Sequence, residues 1–356
     1  MILSKNINKI LIVKPLTKHS KDHRNQLYFF FNCKPKWYIA ISEPNFGQKA
    51  ELLADINQGE KSSIVVGRAN NIFTFNNVLI FSAYSKDYGV EPWVFNGDST
   101  FLLKDINLGT IESAAQNYFL INDKVIFTAY TNDYGAEWWE TDGTPQGTKM
   151  IVDIFEGSGD GVFLMNANYK AYHQIENIVY FAGQNKEQNY ELWKTDGTSE
   201  GTALVKNIVP DNENFNIPSF PTNFVTFKNE VYFTAANQLW KTNGNEEGTQ
   251  LIYDMPFQEI IVMENYMLLI SDYNLWFSDG TSDGTYLLRE SQSFFGRDDK
   301  TIIALENIAL FPSRDSEYGI ELYLLYAMGK QPQYQPQCYL SFQQYLAYGT
   351  FLTFVR

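Results

Sequence analysis

One short block recurs along the chain and constrains its fold more than any other feature. Its clearest copy runs Glu191-Leu192-Trp193-Lys194-Thr195-Asp196-Gly197-Thr198, then Gly201-Thr202 and an apolar stretch ending at Ile208. Aligned on the aromatic residue, the copies fall at Trp93, Trp139, Trp193, Trp240, Trp276 and Tyr323, between 36 and 54 residues apart. A period of that size marks one supersecondary unit stacked many times. Its variation is that of loops, which absorb length at small entropic cost.

Each unit has four apolar segments. The first two flank a short turn: Ile72 to Phe75, then Asn76-Asn77, then Val78 to Phe81. Equivalent turns fall at Asn122-Asp123, Glu176-Asn177, Lys228-Asn229, Glu264-Asn265 and Glu306-Asn307. Asn suits such positions because tight hairpins need positive φ. The third segment carries the aromatic residue. A corner follows at Asn96-Gly97, Asp142-Gly143, Asp196-Gly197, Asn243-Gly244 and Asp279-Gly280. A second Gly-Thr pair comes four to five residues later, as in Gly147-Thr148. The Asx side chain can accept a backbone N–H two residues on, and Gly supplies the left-handed residue. The motif is thereby explained as structure, without a ligand.

Four strands per unit, with runs such as Ile178-Val179-Tyr180-Phe181 apolar throughout, predict sheets buried on both faces. That is the blade of a β-propeller. The class is all-β, with four-stranded antiparallel blades. About seven are expected, with six or eight as the alternatives. Clear repeats cover 70–325, and residues 20–60 read as a degenerate first blade. A single propeller over 1–330 is expected, with the tail at 331–356 either closing the ring or truncated. Residues 9–14 could also help to close it.

The Glu-Leu-Trp-x-x-Asp-Gly-Thr-x-x-Gly-Thr pattern resembles the ELWxxDGT repeat family of bacterial surface and secreted proteins, common in Bacteroidetes and often cargo of type IX secretion. The resemblance covers about residues 70–325 and is most specific at 137–154 and 191–208. It implies an extracellular or cell-surface location and no defined reaction. The amino terminus, with Lys5, Lys9 and Lys14 around a short apolar run, does not read as a signal peptide.

Composition narrows the function. The net charge of −14 argues against nucleic acid and anionic membrane surfaces as partners. No stretch approaches the length of a membrane span. Cys33 and Cys338 can form at most one bridge. His19 and His23 have metal-binding spacing but basic neighbours, and His173 falls in a first strand. The common nucleophile, phosphate-loop and zinc motifs are absent. No cofactor is signalled. Calcium has only Asp279 with Asp283, or the loop Gly157 to Gly161, without the EF-hand order.

One rim feature stands apart. Asp87-Tyr88-Gly89 and Asp133-Tyr134-Gly135 repeat a triplet, with Glu317-Tyr318-Gly319 as a variant. Tyr88, Tyr134 and Tyr318 are therefore the candidate binding residues, able to stack on sugars or a protein partner. The plainer reading packs each Tyr on its own blade. The function expected is a monomeric, non-enzymatic scaffold presenting loops to a protein or glycan. The alternative is a carbohydrate-active hydrolase using carboxylates at the propeller channel.

Overall fold

A computed structural model describes residues 30–33, 36–39, 52–58, 62–64, 72–164, 171–187, 189–210, 217–272, 274–290, 302–305, 308–315, 319–326 and 333–334. His19, His23, Tyr318, Cys338 and residues 9–14 lie outside them. The contacts divide the chain into two compact units, Met1–Leu53 with Ser341–Arg356, and Ala54–Leu340. In the first unit, Phe30–Cys33 pairs with Lys36–Ile39 as an antiparallel hairpin within the degenerate copy.

The second unit holds six four-stranded antiparallel sheets, each with its strands side by side in chain order. We call them blades 1 to 6. Blade 1 comprises Ile72–Phe75, Val78–Ser85, Gly89–Phe95 and Thr100–Leu102. Blades 2 to 6 span residues 116–152, 172–206, 222–253, 259–289 and 303–334. The last strand of blade 6, Gln333–Tyr334, lies past residue 330 and pairs with Leu325–Tyr326. No helix occurs among the described residues. The architecture is that of propeller blades, six of them four-stranded.

Strand periodicity explains how the blades stack. Successive side chains point to opposite faces. In blade 3, Trp193 packs back on blade 2, among Ile126 and Phe181, while Leu192 packs forward on blade 4, beside Phe233. Blade 2 repeats the scheme, with Trp139 in the core shared with blade 1 and Trp138 in the core shared with blade 3. Trp138 is fully buried and meets Phe181 edge-on at 5.4 Å. Five such cores join consecutive blades. Trp139 and Trp193 thus fill the space between consecutive blades, and Trp240 and Trp276 pack against such cores in part.

Two-residue hairpins stand where the sequence places them at Asn76-Asn77, Asn122-Asp123, Glu176-Asn177 and Lys228-Asn229. Asn76 and Asn77, Asn122 and Asp123, and Lys228 and Asn229 all have positive φ, as a type I′ turn requires. The expected turn at Glu264-Asn265 differs. There Val262 pairs with Met267, and the Met263 N–H donates to the Tyr266 carbonyl at 2.9 Å, so the connection is four residues wide.

The Asp-Gly corner is a closed hydrogen-bond circuit. In blade 2 the Gly143 N–H donates to Thr141 Oγ1 (3.0 Å), which lies 2.7 Å from Thr148 Oγ1, whose hydroxyl donates to the Thr144 carbonyl (2.7 Å). Asp142 Oδ1 accepts from the Thr144 N–H and hydroxyl at 2.9 and 2.7 Å, and Thr144 Oγ1 accepts from the Gly147 N–H at 3.0 Å. Each hydroxyl therefore donates once and accepts once. These bonds hold the Asp142 carboxyl below its ordinary range. A Cβ at Gly147 would stand 2.1 Å from Asp142 Oδ1, which is why the second glycine recurs. The circuit repeats at Asp196 and Asp279, and with Asn243 and Asn245 in blade 4. Gly97, Gly143, Gly197, Gly244 and Gly280 all have positive φ. The corners of blades 4 and 5 also dock on the preceding blade: Lys194 Nζ donates to the Gly244 carbonyl at 2.8 Å, and the Tyr232 hydroxyl to that of Gly280 at 3.2 Å.

Candidate ligand-binding rim

An antiparallel meander alternates ends. The first hairpins and the Asp-Gly corners share one rim of the blades. The loops between strands two and three, and the connections to the next blade, share the other. The second rim carries the variable segments.

Tyr88 and Tyr134 stand on that rim, 37% and 45% exposed. Ser85 pairs with Gly89 and Thr131 with Gly135, leaving three-residue loops. The Tyr88 N–H donates to Ser85 Oγ at 3.1 Å, and the Tyr134 N–H to Thr131 Oγ1 at 3.0 Å. Gly135 has φ 63°, and a Cβ there would lie 2.0 Å from the Gly159 carbonyl oxygen. The glycine thus lets the next connection lie directly on the loop, while the tyrosine points outward.

Beneath the rim, the glutamate of the repeat clamps the connections that follow blades 1, 2 and 3. Glu91, Glu137 and Glu191 are buried. Glu91 accepts from the N–H groups of Ile106, Asn107 and Ser113 at 3.1 to 3.3 Å. Glu137 Oε1 accepts from Phe155 and Gly161. Glu191 accepts from the Ile208 N–H at 2.7 Å, the Ser219 N–H at 3.2 Å and the Ser219 hydroxyl at 2.7 Å. Burial raises the carboxyl of Glu91 to about 7 and that of Glu137 to about 8, with Asp105 and Asp153 adding smaller upward pushes. Glu191 is raised by the same cause. Sequence reading alone gives these glutamates no role, although their fixed place two residues before the aromatic was a signal.

The Glu191 clamp positions a surface feature. Ser219 and Phe220 both donate their N–H to the Tyr190 carbonyl, at 3.1 and 3.2 Å. The Ala236 N–H donates to the Ser219 carbonyl at 2.7 Å. Phe220 is thereby held at φ 46°, a left-handed conformation uncommon for a bulky residue. Its ring stacks on Tyr190 at 5.5 Å and 20°, touches Phe163 at 5.3 Å, and stays 41% exposed. Beside it opens a cavity of about 440 Å3 between the connections flanking blade 4. Phe220, Thr222, Asn223, Asn237 and Gln258 contribute to its wall, and no charged side chain does so among the described residues.

The remaining candidates are placed plainly. His173 Nε2 lies 2.6 Å from Thr226 Oγ1, joining the first strands of blades 3 and 4. Asp279 Oδ1 is engaged by Thr281, and Asp160 Oδ1 accepts from the Ala136 N–H at 2.9 Å. No cluster of three or more metal-ligating side chains occurs among the described residues. No described helix is long and apolar enough to cross a membrane.

No family model and no curated protein matches the chain. Solved structures of distant sequence do. The chain is similar to the tricorn protease (13% identity, 74% of this chain and 26% of that one, TM-score 0.33). It is similar to AztD from Citrobacter koseri (9% identity, 74% and 70%, TM-score 0.43). It is also similar to PorZ, a surface component of the type IX secretion system of Porphyromonas gingivalis (11% identity, 78% and 39%, TM-score 0.37). The chain thus spans about a quarter of the first and well under half of the third. Likenesses this remote transfer no activity.

Proposed function

We propose that this protein is a non-enzymatic binding propeller that presents the loop-bearing rim to a protein or glycan at the cell surface. The observation that carries this reading is the set of aromatic side chains held outward on that rim: Tyr88, Tyr134 and Phe220. Exposed aromatics on a rigid scaffold supply contact area at low entropic cost. The carboxyls with raised pKa speak for the same view, since Glu91, Glu137 and Glu191 are sealed beneath the rim and engaged by backbone amides. The cell-surface location follows from the repeat resemblance.

The test is an array of glycans and extracellular proteins probed with the wild-type chain and a Tyr88→Ala/Tyr134→Ala/Phe220→Ala variant of equal thermal stability. Specific binding weakened by the triple substitution is expected. Turnover of an aryl-glycoside or polysaccharide, abolished by one Asp or Glu substitution, would favour the hydrolase instead.

A further inference from the structure

We infer that the cavity beside Phe220 is a saccharide subsite that takes an uncharged sugar ring stacked on Phe220. This inference rests on the binding-rim reading and names its ligand class at one place.

Three observations converge. The first is the platform. Phe220 shows an exposed ring whose other contacts are Tyr190 and Phe163, and its left-handed backbone is fixed by hydrogen bonds to the Tyr190 carbonyl. A strained surface aromatic, over-determined by its surroundings, is a pre-organised contact rather than a core residue. The apolar face of a pyranose fits such a ring.

The second is charge. The chain carries −14 overall, yet no charged side chain lines the cavity among the described residues. An acidic sugar or a phosphorylated ligand would meet the field of the whole protein with no cation among the described wall residues to offset it. A cationic ligand would find no carboxylate partner among the described wall residues. An uncharged ligand is the class that fits.

The third is polarity. The wall combines apolar Phe257 and Pro256 with the hydroxyl of Thr222 and the side-chain amides of Asn237 and Gln258. Asn237 sits at the exposed tip of the turn between strands two and three of blade 4, at φ 61°. Gln258 is oriented by the Asp272 N–H, which donates to its Oε1 at 2.8 Å, and by its own Nε2 donating to the Pro256 carbonyl at 3.1 Å. Amides both donate and accept, as vicinal sugar hydroxyls do. The volume of about 440 Å3 lies in the range of small-ligand sites.

The glutamate of the repeat is here a positioning residue. Glu191 takes both the N–H and the hydroxyl of Ser219, the residue before Phe220. The structural repeat and the binding surface meet at that bond.

The experiment uses the full chain against a panel of neutral, acidic and sulfated oligosaccharides, with calorimetry on any hit. Phe220→Ala and Asn237→Gly, the second keeping the left-handed backbone, are each expected to weaken a neutral hit by about tenfold or more, measured where both variants remain folded. Phe220→Trp keeps the platform, retains binding, and shifts its indole emission when the sugar is added. The inference is overturned by a hit that survives Phe220→Ala. It is equally overturned by binding confined to acidic or sulfated glycans, or by the absence of any neutral hit. A hit lost in Tyr88→Ala/Tyr134→Ala but kept in Phe220→Ala would retain the binding rim and remove this subsite.

Discussion

Replacing Glu137 with Gln should invert an ordinary pH dependence. The carboxyl of Glu137 is buried, its Oε1 receives backbone amides, and its Oε2 has no partner. Burial pushes it to about 8, from an ordinary 4.5. Asp153, sixteen residues on, leaves its own Oδ1 buried and unpaired. Blade 4 indicates what the pair requires. There the equivalent residue is Gln238, and its Nε2 donates to Asp254 Oδ1 at 2.9 Å. A protonated Glu137 can do what that amide does. The sign follows from linkage. A carboxyl whose folded pKa is raised contributes stability in full below about 4.5, and that contribution is lost as pH rises to about 8. Each pH unit in that window is worth about 1.4 kcal/mol. The Gln variant has no proton to lose, so it should gain on the wild type by up to roughly 4–5 kcal/mol between pH 4.5 and pH 8, and no further above that. Urea unfolding followed by tryptophan fluorescence, at half-unit pH steps from 4.5 to 9, measures the difference directly. A difference that stays flat would refute the argument. A variant that loses ground as pH rises would show instead that the amides hold Glu137 ionised.

Two further outcomes test the repeat and the rim. Gly147→Ala should cost about 1–3 kcal/mol, because its Cβ would meet the Asp142 carboxylate; in the Asp142→Ala background the same change should cost less, as a double-mutant cycle of denaturation midpoints would reveal. Gly97→Ala and Gly135→Ala both place a Cβ on a left-handed residue, at roughly 1–2 kcal/mol; only Gly135→Ala also collides with Gly159, so its melting temperature should fall further.

The blade was legible because its signals are local. Asn76-Asn77, Asp142-Gly143 and Gly147-Thr148 make their hydrogen bonds within seven residues, so type and spacing alone identify them. The Thr or Ser before four of the five Asx residues, at Thr141, Thr195, Thr242 and Ser278, belongs to the same circuit and could have been read with it. Tyr88 and Tyr134 were legible for a similar reason: the loop that exposes them is closed by Ser85 and Thr131, three residues away. The hairpin at Glu264-Asn265 keeps those two residues at its tip but opens to four, with Val262 pairing with Met267, because register is set by the flanking strands as well as by the turn.

What the chain determines unaided is thus the repeated unit, its corners, and the alternation by which Leu192 leans forward and Trp193 leans back. Tertiary structure alone decides what gathers above the blades. Glu191 reaches Ser219 across 28 residues, His173 reaches Thr226 across 53, and Phe220 becomes a surface platform only when the connections before and after blade 3 meet on that blade's own loop. Such contacts carry no periodic signature, because each depends on where a variable loop returns after a fixed sheet has placed its ends.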